Sequence, residues 1–219
     1  MAKKEFKGSS LMGPLPVTMV SVGNMENANI ITVAWTGIVC SAPPRVYVSI
    51  RKDRYSYEFV KNSGEFVINL VSDKLLPACD YCGIRSGRDM DKFAEMKLTK
   101  GKSTHVATPF INECPIALEC KVFQVLELGS HDMFLADVVA IHVDEEIIDE
   151  KGRINFALAH LVNYQHGEYR ATGRQLGRFG FAAQRKFVAK HGKGTDVEMA
   201  TATLTKRKAP KNRKKQPKN

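Results

Sequence analysis

The amino-acid sequence predicts a mainly β fold with short helices, a barrel or sandwich of six or seven strands that are mostly antiparallel. Three observations carry this. Short runs rich in Val, Ile, Thr and aromatic residues recur through the chain, the composition favoured on a pleated, half-buried surface. Most segments joining them are too short for a parallel crossover, which takes a dozen residues or more. There is also no alternation of strand-like and helix-like segments of the kind that builds a parallel sheet.

In chain order, residues 16–23 (PVTMVSVG), 30–40 (IITVAWTGIVC) and 45–51 (RVYVSIR) read as strands. The polar turn NMENAN separates the first two, and SAPP, whose prolines end one strand and let another begin, separates the second and third. Residues 56–62 read as a helical turn with Tyr57 and Val60 on one face, stopped at Asn62-Ser63-Gly64. Residues 65–71 (EFVINLV) are a further strand, and 73–81 a short helix before the Gly- and charge-rich segment 82–93. Two long β segments follow, 116–128 and 133–148, separated only by GSHD, which makes them a hairpin. The pattern weakens beyond Gly152, and 181–190 reads as a last helix with Phe181, Gln184, Phe187 and Val188 near helical spacing.

With 43% hydrophobic and 26% charged residues in 219, the chain can bury a proper core. No run approaches the 18 apolar residues of a membrane-spanning helix, and the start, MAKKEFKGSS, lacks the apolar stretch of a signal peptide. Five cysteines, an odd number, suit free thiols in a reducing compartment better than a disulfide framework, so the expected location is the cytoplasm. The formal net charge of +10 is concentrated in residues 206–219, which hold eight Lys or Arg and no acid. Residues 1–205 keep 25 basic against 23 acidic residues, a net of +2. The expected organisation is one domain over 1–205 and a disordered basic tail over 206–219. Such a tail suits non-specific contact with anions rather than specific nucleic-acid recognition.

Common catalytic signatures are missing. Gly101-Lys102-Ser103 resembles the end of a phosphate-binding loop, but the earlier glycine that loop requires falls at position 96, which is Met. The glycines of 173–180 do not match a dinucleotide fingerprint, and there is neither HExxH nor Gly-x-Ser-x-Gly. Cys79-Asp80-Tyr81-Cys82 is a CxxC, but it stands towards the end of a predicted helix in a β-rich chain. A redox dithiol is favoured instead at a helix N-terminus in a thioredoxin-like setting.

Two clusters offer chemistry. In Ser49-Ile50-Arg51-Lys52-Asp53-Arg54-Tyr55-Ser56 a strand ends, three cations follow within four residues, and a helix begins near Ser56. Orphan N–H groups at a helix start, a hydroxyl and guanidinium groups together suit a terminal phosphate. In Ser86-Gly87-Arg88-Asp89-Met90-Asp91-Lys92-Phe93, glycine permits close backbone approach to a ligand and Lys92 supplies a charge. Trp35, the only tryptophan, stands among Thr32, Thr36 and Gly37, a setting compatible with a planar ligand or with a core.

Together Pro14-Leu15-Pro16-Val17, IITVAWTG, SIRKDRYS, GEFVIN and above all CG-x-x-SGRD-x-DKF resemble the flavin reductase-like, FMN-binding split-barrel family, and its flavoredoxin branch in particular. Leu118-Glu119-Cys120, GSHDMFLADV and Tyr169…Gly173…Leu176-Gly177 extend the resemblance over about residues 8–190. It implies an antiparallel Greek-key split barrel, FMN bound without a covalent bond, and a homodimer whose interface borders the flavin. It also implies that Asn29, Trp35, Ser56, Lys92, His131 and Tyr164 surround FMN, with Arg51, Arg54 and Ser49 near the phosphate, the Thr32–Thr36 backbone along the ring edge, and Ser86 and Gly87 in the SGRD loop. Glu119 is expected to brace the site.

The resemblance implies an oxidoreductase transferring electrons through FMN, from NAD(P)H or between protein partners, with no catalytic side chain required because the chemistry belongs to the cofactor. Two rival functions remain at the level of sequence. One is a β-barrel that binds RNA or an anionic surface through the basic tail, and the other is a CxxC dithiol redox protein.

Overall fold

The computed structural model describes residues 1–183. Its strands are β1 (Leu15–Pro16), β2 (Thr18–Gly23), β3 (Ala28–Val33), β4 (Thr36–Ser41), β5 (Pro44–Arg51), β6 (Glu65–Leu70), β7 (Lys100–Gly101), β8 (Phe110–Ile111), β9 (Ile116–Glu127), β10 (His131–Val143), β11 (Val162–Gln165) and β12 (Glu168–Ala171). The helices are α1 (Tyr55–Ser63), α2 (Leu76–Ile84) and α3 (Lys92–Glu95). By its contacts the chain divides into Met1–Thr172, which holds all these elements, and a second unit from Gly173, where the described residues form a 3-10 turn at Phe181–Ala183. The remainder of the helix expected over 181–190, and the boundary expected at 205/206 with its basic tail, lie outside the described residues.

Seven strands form one antiparallel sheet in the order β3-β2-β6-β9-β10-β5-β4. Its two edge strands, β3 and β4, are separated by only Ala34 and Trp35 in the chain. The sheet must therefore curl until its edges meet, and the interior it encloses is continuous. Val20 and Val22 of β2, Val48 and Ile50 of β5, Phe66 of β6, Cys120 of β9 and Phe134 of β10 share one buried core. Strand periodicity sends alternate residues the other way. Met19 thus enters a second core with Ile30, Cys79, Cys82, Phe93 and Val162, under α2, α3 and the small sheet β1-β11-β12. This is a mainly β barrel with short helices on one flank.

Helix α1 plugs the barrel with Tyr57 and Val60, the pair expected on one face. It ends at Gly64, whose φ of 68° and N–H to Val60 C=O (2.9 Å) make a left-handed C-cap that a side chain would strain. Three expectations need correction. The run 30–40 is not one strand, because the chain turns a corner at Ala34–Trp35 to pass from one sheet edge to the other. His131 and Asp132 belong to β10 rather than to a loop, since the tight turn already closes with Leu128 N–H to His131 C=O at 3.0 Å. The strand ends at Val143 rather than Ile148, where Asp144 caps a 3-10 turn through Glu146 N–H.

Glu119 is corrected as well. Fully buried on β9, it accepts hydrogen bonds from the backbone N–H of Thr104 (2.7 Å), His105 (2.6 Å) and Val106 (3.2 Å) and from the Thr104 hydroxyl (3.0 Å). His142 Nε2 lies 2.5 Å away. It thus anchors the loop between β7 and β8. Burial alone would raise its pKa, but the hydrogen bonds from His142, Thr104 and His105 outweigh it and hold the carboxyl at about 2. A pKa depressed from the ordinary 4.5 contributes stability above that pH, which is lost as pH falls towards 2. Glu119→Gln, which turns an amide N–H towards these donors, is expected to cost about 1–3 kcal/mol at pH 7. Denaturant titrations at several pH values should show that difference narrowing below pH ~4.5.

Candidate functional site

A cleft of two adjoining arms opens where the barrel is seamed. The wide arm is about 420 Å³ and the narrow arm about 120 Å³, and both are lined by Ile31, Arg54 and Gly83. The wide arm lies against Thr32–Trp35, where β3 gives way to β4, with Ser49, Ile50 and Arg51 at the end of β5. His131, the first residue of β10, is held across from Arg51 by strand register. Trp35 and His131 lie nearly parallel, their planes 9° apart and centroids 6.4 Å apart. Burial, and then the nearby Arg51 charge, lower the His131 pKa, so the imidazole is neutral at pH 7. Tyr164 and Tyr169, from β11 and β12, form the opposite wall, with the Tyr169 hydroxyl donating to Asp80 of α2 at 2.9 Å.

The narrow arm is cationic and closely fitted. Arg54 is the N-cap of α1 by backbone geometry, and no side chain caps this helix start. Ser56, one residue inside α1, accepts from Asn29 Nδ2 at 2.8 Å. Gly87 passes so close that an added Cβ would stand 2.1 Å from Asn29 Oδ1, so only glycine fits there. Lys92, 4% exposed, donates to Ile30 C=O and Cys82 C=O, both at 2.7 Å. An ammonium has three protons, so one remains without a protein partner among the described residues, in a side chain that lines the arm. Burial lowers the Lys92 pKa. Arg88 at the rim stacks over Tyr55, 5.4 Å from the ring centroid, and donates to Asp53 C=O at 3.3 Å.

Of the residues singled out from the sequence, Thr32, Trp35, Ser49, Arg51, Arg54, His131 and Tyr164 line the wide arm, and Asn29, Arg54, Ser56, Ser86, Gly87 and Lys92 the narrow one. Thr36 does not join them. Its hydroxyl donates to Tyr47 C=O at 2.5 Å and its side chain faces an apolar groove on the far side of β4, because neighbouring strand residues point to opposite faces. Glu119 is also elsewhere, since none of the residues it holds lines the cleft. Sequence reasoning did not single out Asp80, Tyr169, Gly83 and Arg85 as site residues. The signals were present, since Asp80 lies inside the CxxC and Arg85 beside Ser86-Gly87, but each needs the packing of α2 on β3 to become a wall.

The CxxC is structural. Cys79 and Cys82 are buried within α2, and burial pushes their thiols up to about 12 and about 11. Their backbone carbonyls do the work at this site, accepting from the Thr32 hydroxyl and the Lys92 ammonium. Cys114 and Cys120 are buried too, and only Cys40 is partly exposed. A thiol reagent added to the native chain at pH 8 should therefore modify about one cysteine quickly and all five after denaturation. Fast reaction of two thiols, with loss on Cys79→Ser, would return the dithiol function.

Comparison with known proteins now bears on this cleft. The family model described as flavin reductase like domain matches residues 12–173, a span that contains every residue of the cleft. The chain belongs to the flavin reductase-like family. Within that family it is similar to flavoredoxin of Desulfovibrio vulgaris (Miyazaki F), with 32% identity and a TM-score of 0.78 over 84% of this chain and 100% of that one. An FMN-binding protein from Thermus thermophilus, solved with 1-cyclohex-2-enone bound, shares the fold at 24% identity and a TM-score of 0.66, covering 80% of this chain and 96% of that one. A high molecular weight rubredoxin of Moorella thermoacetica is 30% identical over 128 residues, 57% of this chain and 52% of that protein. The flavin reductase-like fold is thus the split barrel that the sequence motifs resembled.

Proposed function

We propose that this protein is an FMN-dependent oxidoreductase that binds FMN in the two-armed cleft and passes electrons through it. The observation that carries the reading is the continuity of a narrow cationic arm, sized for one phosphate, with a wide arm walled by aromatic rings. The residues fit FMN. Lys92 keeps one N–H for a ligand oxygen, and the start of α1 keeps uncapped backbone donors. The family membership and the FMN-binding protein of the same fold support the same cofactor.

When bound, FMN supplies hydride and one-electron chemistry. The chain's own residues bind and orient. Arg54, Ser56, Asn29 and the first N–H groups of α1 hold the phosphate, and Lys92 places positive charge within the cleft, where it favours the more negative, reduced state of the ligand. Trp35, 43% exposed, and the neutral His131 keep the outer side of the wide arm open to a second reactant. That reactant is NAD(P)H or a redox protein. A protein partner is favoured by the likeness to flavoredoxin and to the rubredoxin-named relative. Ligand released by heat should be FMN at about one copy per chain by mass spectrometry. NADH or NADPH added to the bound flavin without oxygen should leave the visible flavin absorbance unbleached if the partner is a protein and bleach it if the protein is a reductase. Recovery of FAD, or of no flavin, would overturn the reading.

The reading includes a homodimer. Beyond β4 from the cleft lies an apolar groove of about 470 Å³ lined by Ile38, Val46, Ile141, Phe156 and their neighbours. Ile38 is 82% exposed and Phe156 56% exposed. Exposed apolar surface of this kind suits burial against another chain. Because β4 begins directly after Trp35, a second copy seated there would border the cleft. Ile38→Asp should halve the mass measured by sedimentation equilibrium, and an unaltered chain that sediments as a monomer would refute the dimer.

A further inference from the structure

Beneath the cleft lies a buried carboxylate that the proposed function leaves unused. Asp132 on β10 is 2% exposed. Its Oδ2 accepts the Tyr57 hydroxyl at 2.7 Å, and its Oδ1, without a hydrogen-bond partner, stands 3.3 Å from Lys52 Nζ. Lys52 also approaches Glu127 of β9 at 3.4 Å. The Tyr57 ring packs edge-on against Phe134 of the barrel core, with centroids 5.6 Å apart. The carboxylate therefore ties together β10, the turn after β5 and the first turn of α1.

The three tied residues share a relation to the cleft. Lys52 follows Arg51, Tyr57 follows Ser56 and Asp132 follows His131. In each pair the first residue lines the cleft and the second belongs to the cluster beneath it. Between the two attachments the backbone is closed by Arg54 N–H to Arg51 C=O (3.1 Å) and Tyr57 N–H to Arg54 C=O (2.9 Å). The stretch so held runs from Arg51, which lines the wide arm, to Arg54 and Ser56, a cation and the helix start of the narrow arm.

Burying a carboxylate is costly unless it is paired. Asp132 is paired by Tyr57 on one oxygen and faces Lys52 with the other, so its pairing holds α1 and the turn after β5 in one arrangement on β10. We infer that Asp132, with Tyr57 and Lys52 as its partners, is a positioning residue that fixes the Arg51–Ser56 turn for the ligand's phosphate. This inference rests on FMN binding in the cleft as proposed above. It places the larger effect on the phosphate, since the stretch closed by these bonds carries Arg54 and Ser56 of the narrow arm, whereas Arg51 and His131, which line the wide arm, are also held by the pairing of β5 with β10.

The test compares FMN with riboflavin, which has the same ring system and no phosphate. Apoprotein of the unaltered chain, Tyr57→Phe and Asp132→Asn is titrated with each ligand, with thermal unfolding recorded alongside. Tyr57→Phe removes one hydrogen bond and keeps the ring in the core, so it folds even where an Asp132 variant does not. The expected result is a loss of FMN affinity of about fivefold or more, the equivalent of one hydrogen bond. Riboflavin affinity should change by less than about twofold. Equal losses for both ligands, or a lower melting temperature with an unchanged FMN-to-riboflavin ratio, would make Asp132 a fold-stabilising residue only and overturn the inference. An unaltered chain that binds neither ligand would instead remove the proposed function and this inference with it.

Discussion

One short chain connection organises this molecule. At that connection the Ser49 N–H donates to the Trp35 C=O at 2.8 Å, continuing the β4–β5 ladder past Thr36 and Val48. Strands β3 and β4 are the two ends of a seven-stranded sheet, yet two residues join them. An open sheet cannot satisfy that constraint, so the barrel closes at this corner. The cleft forms at the same place, because strand ends and a bent chain leave a gap that a regular ladder would fill. Trp35 stands at the seam with its carbonyl paired to β5 and its indole lining the gap.

The buried ammonium of Lys92 is the second constraint, and it ties the start of α3 to the last turn of α2. A buried cation needs acceptors, and the last carbonyls of a helix need donors. Cys82 stands in the last turn of α2, and its carbonyl accepts from Lys92, while the negative end of the helix favours the charge. Asp91 caps α3 through Phe93 N–H at 2.9 Å and so aims Lys92 inward. The DKF tripeptide is thus a cap, a cation and a core residue in succession. That is a physical reason for its value as a motif.

Much of this was legible in the sequence because its signals are local. The helical pair Tyr57 and Val60, the stop at Gly64 and the long hairpin of β9 and β10 follow from periodicity and turn chemistry over a few residues. The cationic segment from Arg51 to Ser56 was visible as charge at a strand-to-helix junction. The corner at Ala34–Trp35 was not, since IITVAWTG has unbroken β composition and only sheet closure bends it. The turn of the Thr36 side chain away from the cleft lay beyond local pattern for the same reason, because a corner resets which residues of a strand face which side. The role of Glu119 also lay beyond local pattern, as its partners at 104–106 come from a loop whose position depends on the barrel.

The walls of the cleft differ in how firmly they are held. Trp35, Ser49, Arg51 and His131 stand on or beside strands of the main sheet, so moving any of them disturbs the barrel. Tyr164 and Tyr169 stand on β11 and β12, which share no ladder with that sheet. Their unit is attached through Val162 N–H to Val71 C=O (3.1 Å), Asp73 N–H to His160 C=O (3.0 Å), the Tyr169–Asp80 bond (2.9 Å) and packing of Val162 in the outer core. Opening the cleft on this side breaks a few hydrogen bonds, each worth about 1 kcal/mol net, and leaves the barrel core intact. Displacing Trp35, Ser49, Arg51 or His131 would break the main sheet instead. The tyrosine wall is therefore the strand-borne wall least tied to the barrel, held by a few hydrogen bonds and by the packing of Val162, Tyr164 and Tyr169 on the outer core.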